Sequence, residues 1–339
     1  MTKSFRIFIV VLNWNGVQDT CACLDSIASL TYPNFNVVTV DNGSSDNSLA
    51  LLRAYQAPYP MTLLETGCNL GYAGGNNVGI RHAIQQGADY ILVLNNDTKV
   101  SPDLIEQLVA AALRNPDAGA LGARLLCMDR PTTVDFDGAY WNNSKLAFIY
   151  PGEGSEESLL LMEEKETDYI CGAALFIRTE VAQHIGLFDE QYFLTWEESD
   201  WCFRARRAGY KCRMAPSAKV WHALAASFSG ENSPLRIYFS IRNRLYWAER
   251  NLGGLSYLRM LMRGLISSIP DFTVADGPEP WIKRIYWAAQ GYTLAWLGNG
   301  DRLEYLATRR AILDYLGHRF GDCPHEVRTW SKTWAARRS

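Results

Sequence analysis

The chain has 339 residues, 48% of them apolar and 20% charged, with a formal net charge of −3 at pH 7. This composition predicts a globular protein with a sizeable core and excludes disordered, low-complexity and repeat-built chains. No apolar run approaches the roughly 18 residues of a membrane-spanning helix, so we expect a soluble cytoplasmic protein. The eight cysteines lack the C-x-x-C spacing of a zinc site, and we expect them to be reduced thiols.

The first hundred residues alternate between short apolar runs and segments with helical spacing. Apolar, β-rich runs predict four strands, at 6–12, 36–40, 61–64 and 90–94. Helical spacing predicts helices at 18–30, 45–55 and 74–86, and Ser101 and Pro102 have the residue types that open a further helix. Alternation at this pitch predicts an α/β fold built on a parallel sheet.

The pattern changes twice in the rest of the chain. A stretch rich in Gly, Pro and acidic residues, from about 128 to 168, predicts short strands and a mobile loop. A strand at 169–178 and a helix at 199–208 follow. Beyond Pro234 we predict a helical region with further helices near 255–268, 282–298 and 301–317, so the domains are expected to be 1–233 and 234–339.

Charge is unevenly distributed. Residues 1–202 carry 11 Lys and Arg against 26 Asp and Glu, whereas residues 203–339 carry 22 against 10. The basic C-terminal third indicates either an anionic partner or solvated helix faces docked on the acidic half. A basic aromatic helix from about Leu235 to Arg250 would rest on a membrane surface or pack on the other domain through its apolar face, formed by Tyr238, Ile241, Leu245 and Trp247.

Polar residues end several of the predicted strands. Asn13 and Asn15 follow the first strand, Asp41 the second, and the triplet 95–97, Asn-Asn-Asp, the fourth. Parallel α/β sheets bind ligands beyond the carboxyl ends of their strands. The sequence therefore predicts a ligand site at this edge of the sheet.

Five segments together resemble the family 2 glycosyltransferases with the GT-A fold, particularly their rhamnosyltransferase branch. They are VVLNWN at 10–15, VDNGSSD at 40–46, NLGYAGGNNVGI at 69–80, LNND at 94–97, and LFDE with EESDWC at 187–190 and 197–202. The resemblance covers about residues 6 to 250. It implies a Rossmann-like, mixed but mostly parallel sheet flanked by helices, a nucleotide-sugar half of about 1–125, an acceptor half of about 126–233, and a helical C-terminal extension.

The resemblance also implies how the donor nucleotide is held. Asp41 would accept the pyrimidine N3–H, and backbone near Leu12 would meet the base carbonyls. The alternative for Asp41 is an Asx cap of its own turn. The expected nucleotide-sugar-binding residues, which include four from the glycine-rich segment at 69–80, are Leu12, Asn13, Asn15, Asp41, Gly71, Gly74, Gly75, Asn76 and Asn96.

The glycine-rich motif would let backbone approach a diphosphate closely. A helix beginning near Gly74 would aim its free N–H groups at that anion. The chain has Asn76-Asn77 where many members of the wider family have Arg-Asn, which implies neutral contacts to phosphate or sugar. The glycine spacing does not match the dinucleotide fingerprint, and this disfavours a dehydrogenase.

The Asn-Asn-Asp triplet stands where the family has its Asp-x-Asp motif. Asp97 would hold a divalent cation, Mg²⁺ or Mn²⁺, that bridges the two donor phosphates. His222 matches the position of an additional metal ligand in related enzymes, and its alternative is a structural histidine.

The acidic pair Glu197-Glu198 matches the Glu-Asp pair of the family, whose second member is the base. That implies Glu198 as the base, with Glu197 and Asp200 as rivals because Glu is longer than Asp. The alternative is that these acids only oppose a helix dipole. A fixed carboxylate opposite the leaving group favours inversion.

These expectations combine into one function: inverting transfer of a sugar, L-rhamnose from dTDP-rhamnose, to a saccharide or lipid-linked glycan in cell-surface polysaccharide synthesis. The alternatives are a UDP-hexose-dependent transferase of the same fold and a non-catalytic nucleotide-sugar-binding subunit. No nucleic-acid-binding module is recognised. Peripheral contact with the inner membrane face remains one of the two interpretations of the basic helix, and the sequence does not fix the oligomeric state.

Overall fold

A computed structural model of the chain describes residues 4–223, 233–267 and 303–337. The chain divides into two compact units, Met1–Leu224 and Ala225–Ser339. The first unit is an α/β structure around one large sheet, and the second is helical in its described residues. The division lies close to the domain boundary expected after residue 233.

The strands of the first unit are β1 (Ile7–Asn13), β2 (Phe35–Asp41), β3 (Met61–Glu65), β4 (Tyr90–Asn95), β5 (Thr98–Val100), β6 (Ala118–Cys127), β7 (Val134–Phe136), β8 (Tyr140–Asn142), β9 (Ala147–Ile149), β10 (Lys165–Thr167), β11 (Ala174–Arg178) and β12 (Lys211–His222). Its helices are α1 (Val17–Ile27), α2 (Ser48–Ala54), α3 (Gly71–Gln85), α4 (Leu104–Arg114), α5 (Thr179–Ile185) and α6 (Glu197–Arg207), with a 3₁₀ turn at Glu157–Leu159.

The main sheet has the strand order β10-β12-β6-β11-β4-β1-β2-β3. Strands β4, β1, β2 and β3 are parallel neighbours, whereas β11 runs antiparallel between β4 and β6. β5 pairs with β12, β7 pairs with β6, and β8 with β9 forms a separate two-stranded sheet. The expected mixed α/β sheet is confirmed.

Burial explains why the central strands read as unbroken apolar runs. Residues 7–11 of β1 and 91–94 of β4 are buried along their whole length. Strands covered on both faces do not alternate between apolar and polar residues. The polar residues therefore appear only where these strands end, and this places them at one edge of the sheet.

Several predicted boundaries are wrong by about one turn. Helix α3 begins at Gly71 rather than near Gly74, and the Asn69 side chain, just before it, accepts from the Gly71 amide. Helix α6 begins at Glu197 rather than Ser199. The strand predicted at 169–178 is regular only from Ala174, and β6 was not predicted, since its Gly-Ala-rich sequence lacks a β-branched run.

The described part of the second unit contains α7 (Pro234–Asn251), α8 (Gly254–Ser267), α9 (Leu303–Leu316) and α10 (His325–Ala336). The helices predicted at 255–268 and 301–317 are confirmed, and the one at 282–298 lies outside the described residues. The Tyr238 hydroxyl donates to Asp314 at 2.8 Å, and Arg242 is buried with its guanidinium over the Tyr238 ring.

The apolar face of α7 bears on the membrane interpretation. Tyr238, Leu245 and Trp247 are each at most 1% exposed. Ile241 is partly exposed. The apolar face is therefore used mainly for packing, and contact of the basic helix with a membrane surface stays a prediction. Among the described residues, no helix combines the length and hydropathy needed to cross a membrane.

The contact between α3 and the sheet gives a stability prediction. A methyl group on Gly79 would lie 2.4 Å from Val10 Cγ1 and 3.2 Å from Val40 Cγ2, both on buried, stiff side chains. We expect Gly79→Ala to lower the free energy of unfolding by about 1–3 kcal/mol through overpacking, in spite of the better helix propensity of Ala. Urea denaturation measures this.

The control is Gly253→Ala, since a methyl group there has no atom within 4 Å among the described residues. Equal stability of Gly79→Ala and Gly253→Ala would contradict the packing account of α3.

Candidate active site

The ends of three neighbouring strands bring the predicted polar residues together. In the parallel register Asn13 on β1 lies opposite Asp41 on β2, and Leu12 lies opposite Asn95 on β4. Asn13 and Asp41 are at most 2% exposed. The predicted convergence of the strand ends is therefore confirmed, and it produces a buried polar edge.

Asp41 is held by its own turn and by β1. Its Oδ1 accepts from Asn13 Nδ2 at 2.9 Å and from the Ser44 hydroxyl at 2.6 Å, and its Oδ2 accepts from the Ser44 amide at 3.1 Å. These are the contacts of the Asx-turn alternative. They also fix the carboxylate at the strand end, and its contact with a base stays a prediction.

Asn15 joins the loops after β1 and β2. It adopts a positive φ of 52°, and its Oδ1 accepts from the Ser45 amide at 2.8 Å and the Asp46 amide at 3.3 Å. Asn is one of the few non-glycine residues that tolerate this backbone region. Asn15 therefore positions the loop that carries Asp41.

A chain of side-chain hydrogen bonds links this corner to the Asn-Asn-Asp triplet. The Thr20 hydroxyl donates to Asn13 Oδ1 at 2.8 Å, and Asn96 Nδ2 donates to Thr20 Oγ1 at 2.9 Å. Asn13 in turn donates to Asp41. Buried amides and hydroxyls in such a series hold one another in fixed orientations. Thr20 was not singled out from the sequence.

Asp97 and His222 meet at the same edge. β12 pairs with β5 so that His222 lies opposite Thr98, and Asp97 Oδ1 comes within 3.4 Å of His222 Nε2. The other imidazole nitrogen, Nδ1, lies 2.9 Å from Asp135 Oδ2. A histidine metal ligand is commonly oriented by a carboxylate in this way. Asp135 lies in the irregular stretch and was not predicted.

The residues present fit a divalent cation. Asp97 Oδ1 is buried without a hydrogen-bond partner among the described residues, although it faces His222. Burial alone would lower the pKa of His222, but the hydrogen bond to Asp135 and the adjacent Asp97 carboxylate outweigh it and raise that pKa to about 9. The two carboxylates thus favour a positive charge at this point. A metal ion would have to displace the imidazole proton before His222 Nε2 could serve as its ligand beside Asp97.

At two positions of the glycine motif, close contacts with neighbouring residues leave no room for a side chain. A methyl group on Gly75 would lie 2.5 Å from Leu12 Cδ1, and one on Gly71, whose φ is +73°, would lie 2.3 Å from the Phe193 carbonyl oxygen. The amides of Gly71 and Ala73 donate to Asn69 Oδ1 and the Phe193 oxygen. These two amides are therefore occupied within the protein, and a contact of the other N–H groups near Gly74 with a diphosphate stays a prediction.

The remaining predicted residues of the motif are also buried. Gly74 lies in the first turns of α3, where a methyl group would meet Leu70 Cβ at 2.8 Å. Asn76 donates to the Tyr72 carbonyl at 3.0 Å, and its own Oδ1 has no partner among the described residues. Asn77 binds the backbone of Phe188 through both ends of its amide.

The acidic pair occupies the first turn of α6. Burial raises the pKa of Glu197, and the charge of Glu198 raises it further. Burial also raises the pKa of Glu198, although hydrogen bonds from Glu197, the Gly172 amide and the Tyr169 hydroxyl oppose that shift. Both carboxyls are thus shifted towards the protonated form, Glu197 more strongly because the charge of Glu198 adds to the effect of burial. Acidic residues that only oppose the dipole of a helix would not need to be buried in this way.

The rival Asp200 is already paired. It is fully buried and accepts from Arg204 Nε at 2.7 Å, one helical turn away. Its carboxylate is therefore part of the internal packing of α6.

The segment before this helix is strained. Phe193, Thr195 and Trp196 all have positive φ, of 63°, 69° and 74°. Bulky or β-branched residues adopt this region at a cost of order 1–3 kcal/mol each, and such residues cluster at functional sites. These strained residues directly precede Glu197 and Glu198, the first two residues of α6.

One tyrosine links the triplet to the acidic pair. The Tyr72 hydroxyl lies 3.0 Å from Asn95 Oδ1 and 2.8 Å from the Gly172 carbonyl oxygen. A methyl group on Gly172 would meet this hydroxyl at 2.5 Å and Glu198 Oε1 at 3.4 Å. Tyr72 and Gly172 were missed; the only available signal was an aromatic residue inside a Gly- and Asn-rich motif.

The Thr20 bridge can be tested by an isosteric change. Thr20→Val would leave Asn13 Oδ1 and Asn96 Nδ2 without their shared partner, so we expect a loss of about 1–3 kcal/mol in the free energy of unfolding. Chemical denaturation measures it.

The control is Thr39→Val on β2, because the Thr39 hydroxyl is buried with no hydrogen-bond partner among the described residues. That change should be neutral or stabilising. A Thr20→Val protein as stable as Thr39→Val would show that the bridge does not hold the site.

Known proteins resemble the chain in sequence and in fold. It is 28% identical over 268 residues to the N-acetylglucosaminyl-diphospho-decaprenol L-rhamnosyltransferase of Mycobacterium tuberculosis, covering 72% of this chain and 85% of that protein. It is 24% identical over 261 residues to the dTDP-rhamnosyl transferase RfbF of Shigella flexneri, covering 73% and 81%.

A solved structure shares the fold. The mannosyltransferase PcManGT from Pyrobaculum calidifontis, in complex with GDP-Man and Mn²⁺, superposes with a TM-score of 0.54 at 17% identity, over 99% of this chain and 85% of that one. The fold is therefore of the GT-A type. The family model described as "Glycosyl transferase family 2" matches residues 8–186, more than half of the sequence. The chain belongs to glycosyl transferase family 2.

Proposed function

We propose that this protein is an inverting, metal-dependent glycosyltransferase that moves L-rhamnose from dTDP-rhamnose to a saccharide or lipid-linked glycan acceptor. The observation that carries the proposal is the position of Tyr72, whose hydroxyl lies 3.0 Å from Asn95 Oδ1, two residues before Asp97, and 2.8 Å from the carbonyl oxygen of Gly172, which is next to Glu198. The charges of Glu198, Glu197 and Asp97 all raise the pKa of the Tyr72 hydroxyl, after burial as the largest cause. Cation-binding and acidic groups thus border one region.

Two named relatives support the donor and acceptor classes. One is a dTDP-rhamnosyl transferase, and the other is a rhamnosyltransferase whose name specifies N-acetylglucosaminyl-diphospho-decaprenol. Both match this chain over most of their own length. Rhamnose and a lipid-linked saccharide are therefore the donor sugar and acceptor that we propose.

The cation site would be formed by Asp97 and His222. Asp97 offers a buried oxygen, and Asp135 orients the imidazole. A bound Mg²⁺ or Mn²⁺ would supply charge stabilisation for the leaving diphosphate. The protein's own part is to keep these two side chains in place through the β5–β12 pairing.

Glu198 is the proposed base. Its Oε2 is buried with no hydrogen-bond partner among the described residues, so it has an acceptor position for the proton of an incoming hydroxyl. We propose that Glu197, whose pKa is raised by burial and by the charge of Glu198, stays protonated, donates a hydrogen bond to Glu198 and so limits the negative charge of the pair to one. Attack from the side of a fixed base, opposite the diphosphate, gives inversion.

The donor assignment is tested by thermal stabilisation. With Mn²⁺ present, dTDP-rhamnose should raise the melting temperature more than UDP-glucose, UDP-N-acetylglucosamine or GDP-mannose, because a ligand that binds only the folded state stabilises it. Asp97→Asn should lose the Mn²⁺-dependent part of the shift, measured relative to its own melting temperature without ligand.

A matched control is Asp103→Asn, an exposed acid outside the site at the start of α4, which should behave as wild type. A larger shift with a UDP-hexose would contradict the rhamnosyl assignment. An unchanged Mn²⁺ response in Asp97→Asn would contradict the metal site.

Two variants, one at each position, distinguish the roles of the two glutamates. Glu198→Gln should lower kcat by about 100-fold to 10,000-fold, because it removes the base. Glu197→Gln should keep most of the activity, since an amide replaces the protonated acid and still donates to Glu198. Initial rates and donor binding are measured for both.

The direction in which activity changes with pH follows from the direction of the Glu198 pKa shift. Since the pKa of Glu198 is raised, activity is lost as the pH falls through that pKa, above the range in which an ordinary glutamate titrates. The acidic limb should persist in Glu197→Gln. Equal losses in the two variants would overturn the assignment of roles.

A further inference from the structure

A two-stranded hairpin beside the acidic pair carries a cluster of aromatic rings. Trp141 on β8 lies opposite Phe148 on β9, with ring centroids 5.2 Å apart. Phe148 also contacts Tyr169 at 5.3 Å, Trp196 at 5.9 Å and Tyr150 at 6.5 Å. These five residues are called the hairpin cluster below.

The hairpin cluster reaches the proposed base through two of its members. The Tyr169 hydroxyl lies 3.4 Å from Glu198 Oε1 and is its hydrogen-bond donor. Trp196 is the strained residue that immediately precedes the acidic pair. The rings are thus one side chain away from the carboxylate that would activate an acceptor.

The hairpin is held rigidly by polar contacts at both ends. The Trp141 amide donates to Asp168 Oδ2 at 2.7 Å, and Arg206 pairs with the other oxygen of that carboxylate at 2.7 Å. At the turn, Asn142 Oδ1 accepts from the amides of Ser144 and Lys145. A binding surface fixed in advance loses little conformational entropy when a ligand binds.

The rings are only partly covered. Tyr150 is 40% exposed, and Trp141, Phe148, Tyr169 and Trp196 are all of intermediate exposure. Polar groups border them: Trp141 Nε1 donates to Asn143 Oδ1, and Glu198 lies at the far side. Aromatic faces with polar groups at their rim suit an amphipathic ligand.

We infer that the hairpin cluster is the acceptor subsite, where the apolar face of a pyranose ring stacks on Trp141 and Tyr150 while a sugar hydroxyl points to Glu198. This rests on the proposed function and adds to it the residues that select the acceptor. The occupant we infer is a sugar rather than an alkyl chain, because the polar groups at the rim, Asn143 and Glu198, would find hydrogen-bond partners in sugar hydroxyl groups and none in an alkyl chain.

The two faces of the hairpin provide a matched comparison. Trp141 and Phe148 share one face, whereas Tyr140 and Ile149, the next pair in the register, point to the other. Ile149 is 37% exposed, close to Tyr150. Substitutions on the Trp141 face should therefore change acceptor binding, whereas substitutions on the Ile149 face should not.

The kinetic test compares Trp141→Ala and Tyr150→Ala with Ile149→Ala. We expect roughly a tenfold increase in acceptor KM for the first two, with donor KM within about twofold of wild type, because stacking is lost only for the acceptor. Ile149→Ala should match wild type. Unchanged acceptor KM in Trp141→Ala, or an equal increase in Ile149→Ala, would overturn the subsite.

A binding test does not depend on turnover. Saturation-transfer NMR would use methyl glycosides of rhamnose, glucose, galactose and N-acetylglucosamine with wild type, Trp141→Ala and Ile149→Ala, each confirmed as folded by circular dichroism. We expect saturation of ring C–H protons in wild type and Ile149→Ala and its loss in Trp141→Ala.

The outcomes separate the two claims. If the wild-type protein transfers no sugar but shows Trp141-dependent saturation of a glycoside, the proposed function fails and the subsite stands. If no methyl glycoside binds, or only octyl glycosides bind through their alkyl chain, the sugar subsite is overturned whatever the activity.

Discussion

The antiparallel pairing of β5 with β12 is the contact on which the proposed site depends most. It places His222 opposite Thr98, and the Ala223 amide donates to the Asp97 carbonyl at 2.9 Å. A slip of one residue in this register would turn His222 to the opposite face of the sheet. Since β5 has only three residues, the long parallel pairing of β12 with β6 supplies the stability that the short strand lacks.

The site is built mainly from neutral groups around a few buried carboxylates. Asn13, Thr20 and Asn96 form a hydrogen-bonded series that ends at Asp41. Burying amides and hydroxyls is inexpensive when each finds a partner, whereas an unpaired charge is costly. Asp97, Glu197 and Glu198, to which we assign ligand-binding or proton-transfer roles, are among the described side chains that have a buried oxygen without a hydrogen-bond partner.

Much of the sheet and its polar edge was predictable because it depends on local pattern. Buried strands gave unbroken apolar runs, and Asn13, Asp41 and Asn95 ended them. The order of strands was less accessible, since β11 enters the sheet antiparallel between β4 and β6 through contacts distant in sequence. Sequence periodicity does not record such pairings.

The residues that sequence analysis missed depend on tertiary contacts. Asp135 meets His222, and Tyr169 meets Glu198, only after the irregular stretch before β11 has folded against the sheet. The glycines of α3 show a different limit: a Gly-rich segment fits a phosphate or a neighbouring side chain equally well. Contacts with Val10 and Leu12 show that packing alone requires glycine at positions 79 and 75, and a ligand contact of Gly75 stays a prediction.

The location of the metal tests the central claim most directly. Crystals grown with Mn²⁺ and dTDP would be measured at the manganese absorption edge, where anomalous scattering identifies the ion. The account predicts one strong peak within coordination distance of both Asp97 Oδ1 and His222 Nε2. A manganese peak bound to the nucleotide but away from both side chains would contradict it.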